Sequence, residues 1–136
     1  MAKSFTVYVA ASSRELERAE GAIQALKDLG HTVVHDWPAL VRAVGSANPR
    51  HASDDKRMMW ASEDLNGVSD ADVFWLLMPN VEGGFGAGVE LGYAIAGQGA
   101  IVCSGPVKRS IFTVYADRVY DTDLDALKAE FGHGVL

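Results

Sequence analysis

The stretch ADVFWLLM, Ala71–Met78, decides the fold of this chain, because it is apolar at every position except Asp72. A run of this kind is typical of a strand that is buried on both faces of a sheet. It is followed by PNVEGGFGAGVELGYA, in which turn residues and glycines lead into a helix that we expect to run through Ala96. A buried strand followed by a loop and a helix is the unit of a parallel sheet.

The same alternation of strands and helices extends outward from this unit in both directions. Four further β-rich segments predict strands: Phe5–Ala10, His31–Trp37, Ala100–Ser104 and Arg118–Asp121. A first helix is predicted after Ser12, which forms a capping-box pattern with Glu15, and it ends at Gly30.

The other helices are predicted from their caps and their apolar spacing. These are a helix from about Asp54 to Asn66 that Gly67 stops, a short helix at Ser110–Tyr115, and a last helix capped by Asp121 or Thr122 with Leu124, Leu127 and Phe131 on one face. The segment Pro38–Ser53 has no clear period, and we interpret it as a mobile loop with at most one helical turn.

These elements predict one domain spanning residues 1–136, an α/β flavodoxin-like three-layer sandwich with a five-stranded parallel sheet in the order 2-1-3-4-5. Ligands bind such sheets at the carboxyl ends of the strands, where the strand order reverses. Two loops meet there, one after the first strand (Ala11, Ser12, Ser13 and Arg14) and one after the third (Pro79–Gly88). The topology alone therefore places the glycine-rich stretch at the expected site.

The composition argues against several classes of function. The net charge is −6 without a block of lysine or arginine, so we do not expect a nucleic-acid partner. No apolar run is long enough to span a bilayer, and we expect a soluble cytoplasmic protein. The four histidines lack the HExxH spacing of a zinc hydrolase, and the single cysteine, Cys103, reads as a small buried side chain. We expect neither a metal nor a cofactor.

The glycines of the stretch GGFGAGVELGYA, Gly83–Ala94, match neither a dinucleotide fingerprint nor a Walker loop. Glycine still permits positive φ angles and a close approach of ligand to backbone, and a helix start favours an anion. Glu90, which we expect in the first helical turn, has two interpretations. It is either a routine acid facing the helix dipole or a carboxylate that the dipole keeps ionised for nucleophilic attack. The spacing of Gly88, Gly92 and Ala96 favours close helix packing.

Other side chains also have a structural and a functional interpretation. Asp64 is expected near the end of its helix, where a carboxylate opposes the dipole, and this favours a functional role slightly. Asp70 and Asp72 read as turn residues before a strand. Tyr8 reads as a core residue whose hydroxyl needs a partner. Three aromatic residues could stack on a base but are more often core or interface residues, namely Trp37, Trp60 and Phe85.

Four segments together resemble the nucleoside 2-deoxyribosyltransferase family, which includes the 2′-deoxynucleoside 5′-monophosphate N-glycosidases. They are VYVAAS, DLNGVSDADVFWLLM, GFGAGVELGYA and AIVCSGP. The resemblance extends from the first strand to the fourth, and its most specific part is Gly86–Ala94. It implies a flavodoxin-like fold and cleavage of an N-glycosidic bond.

Carried over by residue, the resemblance implies that Glu90 is the nucleophile and that Tyr8 is the active-site tyrosine. It implies assisting roles for Asp72 in transferases and Asp64 in hydrolases. It also implies that a neighbouring subunit lends a serine to hold a phosphate, which corresponds to Ser110, so we expect at least a homodimer. The family places an aspartate or a serine six residues before the nucleophile, whereas this chain has Gly84.

The hypothesis from the sequence is attack of Glu90 on C1′ of a nucleoside or its 5′-monophosphate, followed by transfer of the sugar to water or a second base. A 5′-phosphate would be held by the N–H groups of Ser12–Arg14 and Gly84–Gly88, with help from Arg14 or from Lys108 and Arg109. Two alternatives stay open. They are a non-catalytic nucleotide-binding or sensor domain, and an enzyme like a nicotinamide-dinucleotide glycohydrolase.

Overall fold

A computed structural model describes residues 3–44, 52–80, 84–105 and 110–132 of the chain. Within these ranges five parallel strands form one sheet in the order β2-β1-β3-β4-β5. Their bounds are β1 (Thr6–Ala10), β2 (Thr32–Val33), β3 (Val73–Leu77), β4 (Ala100–Ser104) and β5 (Arg118–Tyr120). The predicted fold class and strand order are therefore confirmed.

Helices cover both faces of this sheet. They are α1 (Leu16–Asp28), α2 (Trp37–Val44), α3 (Asp54–Asp70), α4 (Phe85–Ala96) and α5 (Asp123–Ala126), and α5 continues into a π-helical turn, Leu127–Phe131. Two 3₁₀ helices, Ser13–Glu15 and Ile111–Tyr115, complete the described elements. None of the helices in these ranges is long and apolar enough to cross a membrane.

The central strand β3 divides the core into two clusters. All five of its side chains are buried, and successive side chains of a strand point to opposite faces of the sheet. Trp75 and its alternate neighbours pack with the buried side chains of α1 and with Phe131. Phe74 and Leu76 pack instead with α4 and the end of α3, in the same cluster as Tyr8. The apolar character of Ala71–Met78 is thus explained by helices on both faces.

The second strand is shorter than predicted, and the loop prediction for Pro38–Ser53 is wrong in its first part. β2 ends at Val33, and Trp37 begins the eight-residue helix α2. The Asp36 side chain accepts a hydrogen bond from the backbone N–H of Ala39 at 3.2 Å. A carboxylate before the helix and a proline at its second position are a normal helix start. Residues 45–51 lie outside the described ranges.

Helix α3 continues past Gly67, which was predicted to stop it. A Cβ atom at Gly67 would lie 2.9 Å from the Cδ2 atom of Tyr8 and 2.9 Å from the Cβ atom of His35. The glycine therefore lets α3 approach β1 closely and does not end the helix. As a consequence Asp64 lies well inside α3, and the argument from its position at the helix end no longer holds.

The remaining element predictions are mostly correct. Cys103 is buried, and burial raises the pKa of its thiol to about 11. Thr122 caps the last helix by accepting from the N–H of Asp125, but Leu124 is 56% exposed and does not share the buried side of Phe131. Ser12 caps its turn by accepting from the N–H of Arg14. Glu15 does not reciprocate as a capping box requires, because its carboxylate is bound elsewhere.

Candidate active site

Tyr8 and Glu90 meet inside the molecule although 82 residues separate them in the chain. Tyr8 lies in the middle of β1 with no exposed surface, and Glu90 is 8% exposed on the buried side of α4. The Tyr8 hydroxyl donates to Glu90 Oε2 at 2.5 Å. Its ring stacks on Phe74, with centroids 6.0 Å apart. The hydroxyl that needed a partner therefore has one, and the partner is the candidate nucleophile.

Asp64 brings a second carboxyl group to this pair. It projects from α3, interacts through its side chain with Glu90, and is half-buried. Its Oδ1 lies 2.9 Å from Nε2 of His35. The His35 ring in turn stacks on Tyr8, with centroids 6.4 Å apart and an angle of 14° between the planes. Tyr8, Glu90, Asp64 and His35 form one connected group, which we call the carboxyl cluster.

Sequence reasoning did not identify His35 as a site residue. The histidines were tested only for metal-ligand spacing, which His35 does not have. A usable signal was its position just after the second strand, at the carboxyl end of a strand that neighbours β1. Among the described residues no group of three His, Cys, Asp or Glu side chains is arranged to hold a metal ion.

Burial favours the neutral form of the two carboxyl groups in the carboxyl cluster. Burial raises the pKa of Glu90 to about 8; the Tyr8 hydrogen bond opposes this shift, and the neighbouring Asp64 adds to it. Burial also raises the pKa of Asp64, although His35 opposes that shift. Burial and then the charge of Glu90 raise the pKa of Tyr8. Burial therefore favours the neutral form of the Glu90 carboxyl group in the free protein.

The expectation that Glu90 lies in the first turn of its helix is wrong. Counted from Phe85, Glu90 is the sixth residue of α4, in its second turn. The influence of the helix dipole falls off within the first turn, so burial dominates. No Lys or Arg in the described ranges donates a hydrogen bond to Glu90 or Asp64.

The start of α4 explains the glycine run. Gly84 precedes the helix with a φ angle of 86°, and a Cβ atom there would lie 2.8 Å from Cγ of Pro79. Both facts demand glycine at this position. Gly86 and Gly88 are exposed, and a Cβ atom at either would meet nothing within 4 Å. The helix start is therefore bare backbone beside Phe85, whose side chain is 88% exposed.

The loop after β1 lies at the same edge of the sheet. Ala11 and Ser12 are buried, whereas Ser13 and Arg14 are exposed. Trp37 is half-buried at the carboxyl end of β1, where its Nε1 donates to the Val9 carbonyl at 2.7 Å. The exposed part of this loop can therefore face a ligand at the carboxyl edge.

The structure does not bring every predicted residue to this edge. Asp72 precedes β3 at the opposite, amino edge, where its Oδ2 accepts from the N–H of Thr6 at 3.1 Å. That hydrogen bond lowers the pKa of Asp72. Ser110 caps the 3₁₀ helix Ile111–Tyr115 and accepts from the N–H of Phe112. Gly83, Lys108 and Arg109 lie outside the described residues.

The carboxyl cluster has the parts that acid–base and nucleophilic chemistry requires. One carboxyl group is buried at a hydrogen-bonded, fixed position, and a second one beside it is connected to an imidazole. Such a pair can divide its work, with one group attacking as a carboxylate and the other donating a proton.

Two solved structures share the architecture of this chain. One is the 2-deoxyribosyltransferase of the psychrotolerant bacterium Bacillus psychrosaccharolyticus, with 21% identity, a TM-score of 0.71 and 96% of each chain covered. The other is the CMP N-glycosidase of Clostridium botulinum, with 16% identity, a TM-score of 0.53, and 85% of this chain and 88% of that chain covered. No family model and no curated protein matches the sequence. The chain therefore has a nucleoside 2-deoxyribosyltransferase-like fold, as the resemblance of its sequence implied.

Proposed function

We propose that this protein cleaves the N-glycosidic bond of a nucleoside, with or without a 2′-hydroxyl, or of its 5′-monophosphate. The observation that carries the proposal is the contact between Glu90 and Tyr8, with Asp64 and His35 beside it. A fixed carboxylate next to a second acid is what a retaining glycosidic mechanism uses. The likeness of the fold to two enzymes of this chemistry supports the same conclusion.

In the proposed reaction Glu90 first passes its proton to the Asp64 and His35 pair, and the resulting carboxylate attacks C1′ as the bond from C1′ to the base nitrogen breaks. The bonding electrons leave with the base, which takes up a proton from the Asp64 and His35 pair. The product is a glycosyl ester on Glu90. A water molecule or a second base then attacks C1′, gives up its proton to the same pair, and releases Glu90 as a carboxylate. Tyr8 holds the carboxylate in line and stabilises its charge.

The position of Asp64 favours it over Asp72 as the aspartate that transfers a proton. Asp64 interacts with Glu90, whereas Asp72 is bound to Thr6 at the amino edge of the sheet. Ligands bind such sheets at the carboxyl edge. We therefore assign the proton transfer to Asp64 and His35, and assign no direct step to Asp72.

A substrate phosphate would lie between the two glycine- and serine-rich loops of the carboxyl edge. The exposed Ser13 and Arg14, and the open backbone at Gly86 and Gly88, are the groups available to it. Gly84 cannot contribute a side chain, because its φ angle and Pro79 both exclude one. Phe85 and Trp37 are the aromatic rings available to stack on a base.

We also propose that a second copy of the chain covers the outer surface of α3, α4 and the 3₁₀ helix Ile111–Tyr115. This surface, which we call the apolar layer, exposes eight large apolar side chains: Met58, Met59, Val89, Tyr93, Ile111, Phe112, Val114 and Tyr115. At typical side-chain areas their exposed parts amount to roughly 900 Å². The summed area is comparable with one side of a stable interface.

The features of the apolar layer point to a second copy. Gly88 and Gly92 face open space on α4, so their four-residue spacing serves no packing inside the chain. Small residues on an exposed helix face allow another helix to approach closely. Ser110 begins the 3₁₀ helix of this layer, where a copy could meet it. Light scattering should give twice the monomer mass for the wild-type protein. A charged residue in place of Ile111 should lower the measured mass toward that of the monomer.

A substrate panel tests the proposed function. Purified protein is incubated with nucleosides, nucleoside monophosphates and nicotinamide-dinucleotide, and free base is measured by chromatography. Base is expected from a nucleoside or its monophosphate. Release from the dinucleotide alone would establish the glycohydrolase alternative, and release from no substrate would leave the binding-domain alternative. Addition of a second base separates transfer from hydrolysis.

Glu90→Gln completes this test, with Glu17→Gln as the matched control on the exposed side of α1. The amide keeps the shape of Glu90 and can still accept from Tyr8, but it cannot form the ester. We expect base release to fall by at least about a thousandfold. Release at the wild-type rate by Glu90→Gln would refute the mechanism.

A further inference from the structure

A second buried polar group lies on the other face of the sheet, and it is centred on Arg18. Arg18 is the third residue of α1, where a positive charge opposes the helix dipole. Its side chain is nevertheless only 17% exposed. A cation buried at an unfavourable helix position requires strong compensation from its neighbours, and this points to a specific task for the side chain.

All five N–H donors of the Arg18 guanidinium are used. Nε and Nη2 donate to the two oxygens of Asp123, at 2.6 and 2.9 Å. Nη1 donates to the Met78 carbonyl at 2.7 Å and to Glu15 at 3.1 Å, and Nη2 makes a longer contact with the Ser104 carbonyl at 3.4 Å. A guanidinium has five donors in a fixed fork. None remains for a ligand, so Arg18 is not itself a phosphate-binding residue.

The acceptors of Arg18 belong to the carboxyl-edge loops. Met78 directly follows β3, in the loop that leads to α4, and Ser104 ends β4. Glu15 belongs to the turn after β1, and its second oxygen accepts from the N–H of Asn80 at 2.9 Å. The first and third loops of the sheet are therefore tied together through Glu15 and Arg18.

Gly105 shows how closely the chain is fitted around this guanidinium. Its φ angle is 122°, and a Cβ atom there would lie 2.7 Å from Nη2 of Arg18. Ser104 donates from its hydroxyl to Asp123 at 2.7 Å and accepts from Nε1 of Trp75 at 2.8 Å. Asp123, which Ser104 holds in place, thus fixes the guanidinium. The guanidinium in turn fixes the loops that contain Met78 and Glu15.

We propose that Arg18 is a positioning residue that holds the loops after β1 and β3 at the spacing a substrate requires. The expected effect of Arg18 on substrate binding rests on the proposed function. Its expected effect on the positions of the loops does not. The two loops carry the open backbone of Ser13–Arg14 and Gly84–Gly88. Glu90 itself is held by Tyr8 and by the packing of α4 on the opposite face. Loss of Arg18 therefore changes substrate binding more than the chemical step.

Arg18→Lys tests this proposal, because lysine keeps the charge but cannot make five hydrogen bonds in a fixed fork. Arg42→Lys is the matched control, since Arg42 also binds a carboxylate with two nitrogens, that of Glu20, on the exposed surface. We expect Arg18→Lys to raise KM about tenfold with kcat within about twofold, and Arg42→Lys to change neither. A lesion that only destabilised the fold would reduce kcat through loss of active protein and leave KM unchanged.

Amide hydrogen exchange provides a readout that does not depend on activity. We expect the amide of Asn80 to exchange at least about tenfold faster in Arg18→Lys than in Arg42→Lys. If the wild-type protein releases no base, the proposed function fails. The exchange result alone then decides whether Arg18 holds the two loops. If Arg18→Lys does not fold, Glu15→Ala, which removes the acceptor of Asn80 and leaves the Asp123 pair, should show the same faster exchange. An unchanged KM in an active, folded Arg18→Lys, or an Asn80 amide as slow as in the control, would overturn the proposal.

Discussion

The two buried polar groups of this protein contain carboxyl groups on opposite faces of one sheet, but their electrostatics differ. Around Arg18, burial alone would raise the pKa of Asp123, yet hydrogen bonds from Arg18 and Ser104 outweigh it and hold that pKa low. In the carboxyl cluster no such cation is present among the described residues, and burial raises the pKa of Glu90 to about 8. The comparison shows that burial becomes costly when the partner of a carboxyl group is neutral.

This difference separates a structural role from a chemical one. A carboxylate that is saturated by a guanidinium is stable and unreactive. A carboxyl group that is held without a cation is poised near neutrality, where it can gain and lose a proton readily. The buried carboxyl cluster lowers the free energy of unfolding. The hydrogen-bonded group around Arg18 raises it. Three changes test the contrast, in order of decreasing effect.

The largest effect is expected from Asp64→Asn, which removes an acidic proton from the carboxyl cluster. Proton transfer by a positioned group contributes roughly 10²–10⁴-fold, so we expect kcat for base release to fall by about 10³-fold. Initial rates with the best substrate of the panel measure this, and Glu17→Gln on the exposed side of α1 is the control. Asp72→Asn should lose far less, because Asp72 lies at the other edge of the sheet. An equal or larger loss with Asp72→Asn would contradict the assignment.

The next effect is expected from Asp123→Asn, which leaves the Arg18 charge without its main partner. The NH₂ group of the asparagine amide would face the N–H groups of the guanidinium, which also donate and cannot accept. We therefore expect a loss of about 2 kcal/mol in the free energy of unfolding. Urea denaturation at neutral pH measures it. The pKa of Asp123 is lowered in the folded protein, so the stabilisation by this carboxylate is present above its unfolded pKa and is lost as the pH falls through its folded one. The difference between variant and wild type should therefore shrink in acid.

The smallest effect is expected in the stability of Glu90→Gln, and it has the opposite sign. A carboxyl group whose folded pKa is raised binds its proton more tightly in the folded state, so wild-type stability falls as the pH rises from about 4.5 toward 8. The amide does not titrate, so Glu90→Gln should be more stable than wild type by about 1 kcal/mol at pH 8 and by less at pH 5. Thermal melts at both values measure this. A variant that is less stable than wild type at pH 8 would show that burial of Glu90 does not destabilise the folded protein at that pH.

Much of the fold could be predicted from the sequence because its signals are local. The apolar run of β3, the cap at Ser12 and the positive-φ glycine at Gly30 each act within a few residues. Two element predictions failed for different reasons. Gly67 did not end α3 because Tyr8, far away in the chain, lies against it. Trp37 left the strand because Asp36 and Pro38 start a helix, which is a local signal that the strand prediction missed.

The candidate site was predicted in part. Resemblance and topology brought Glu90, Tyr8 and Asp64 into consideration, and the structure places them together. His35 was missed because its position after the second strand was not used. Asp72, to which the resemblance gives an assisting role, lies before β3 at the amino edge, away from Glu90. Arg18 was also missed, since its partners lie 3 to 105 residues away along the chain.

The sequence by itself determined the alternation of strands and helices, the burial of the central strand and the need for glycine before α4, because these depend on side-chain period and backbone φ angles. Only the tertiary structure decided that the pKa of Glu90 is raised. That pKa depends on how much water the packing of α3, α4 and β1 removes around the carboxyl group, and on the absence of a Lys or Arg donor to Glu90 among the described residues. Burial and neighbours are properties of the folded arrangement, so burial favours the neutral form of a residue for which a helix-start argument favours the ionised form.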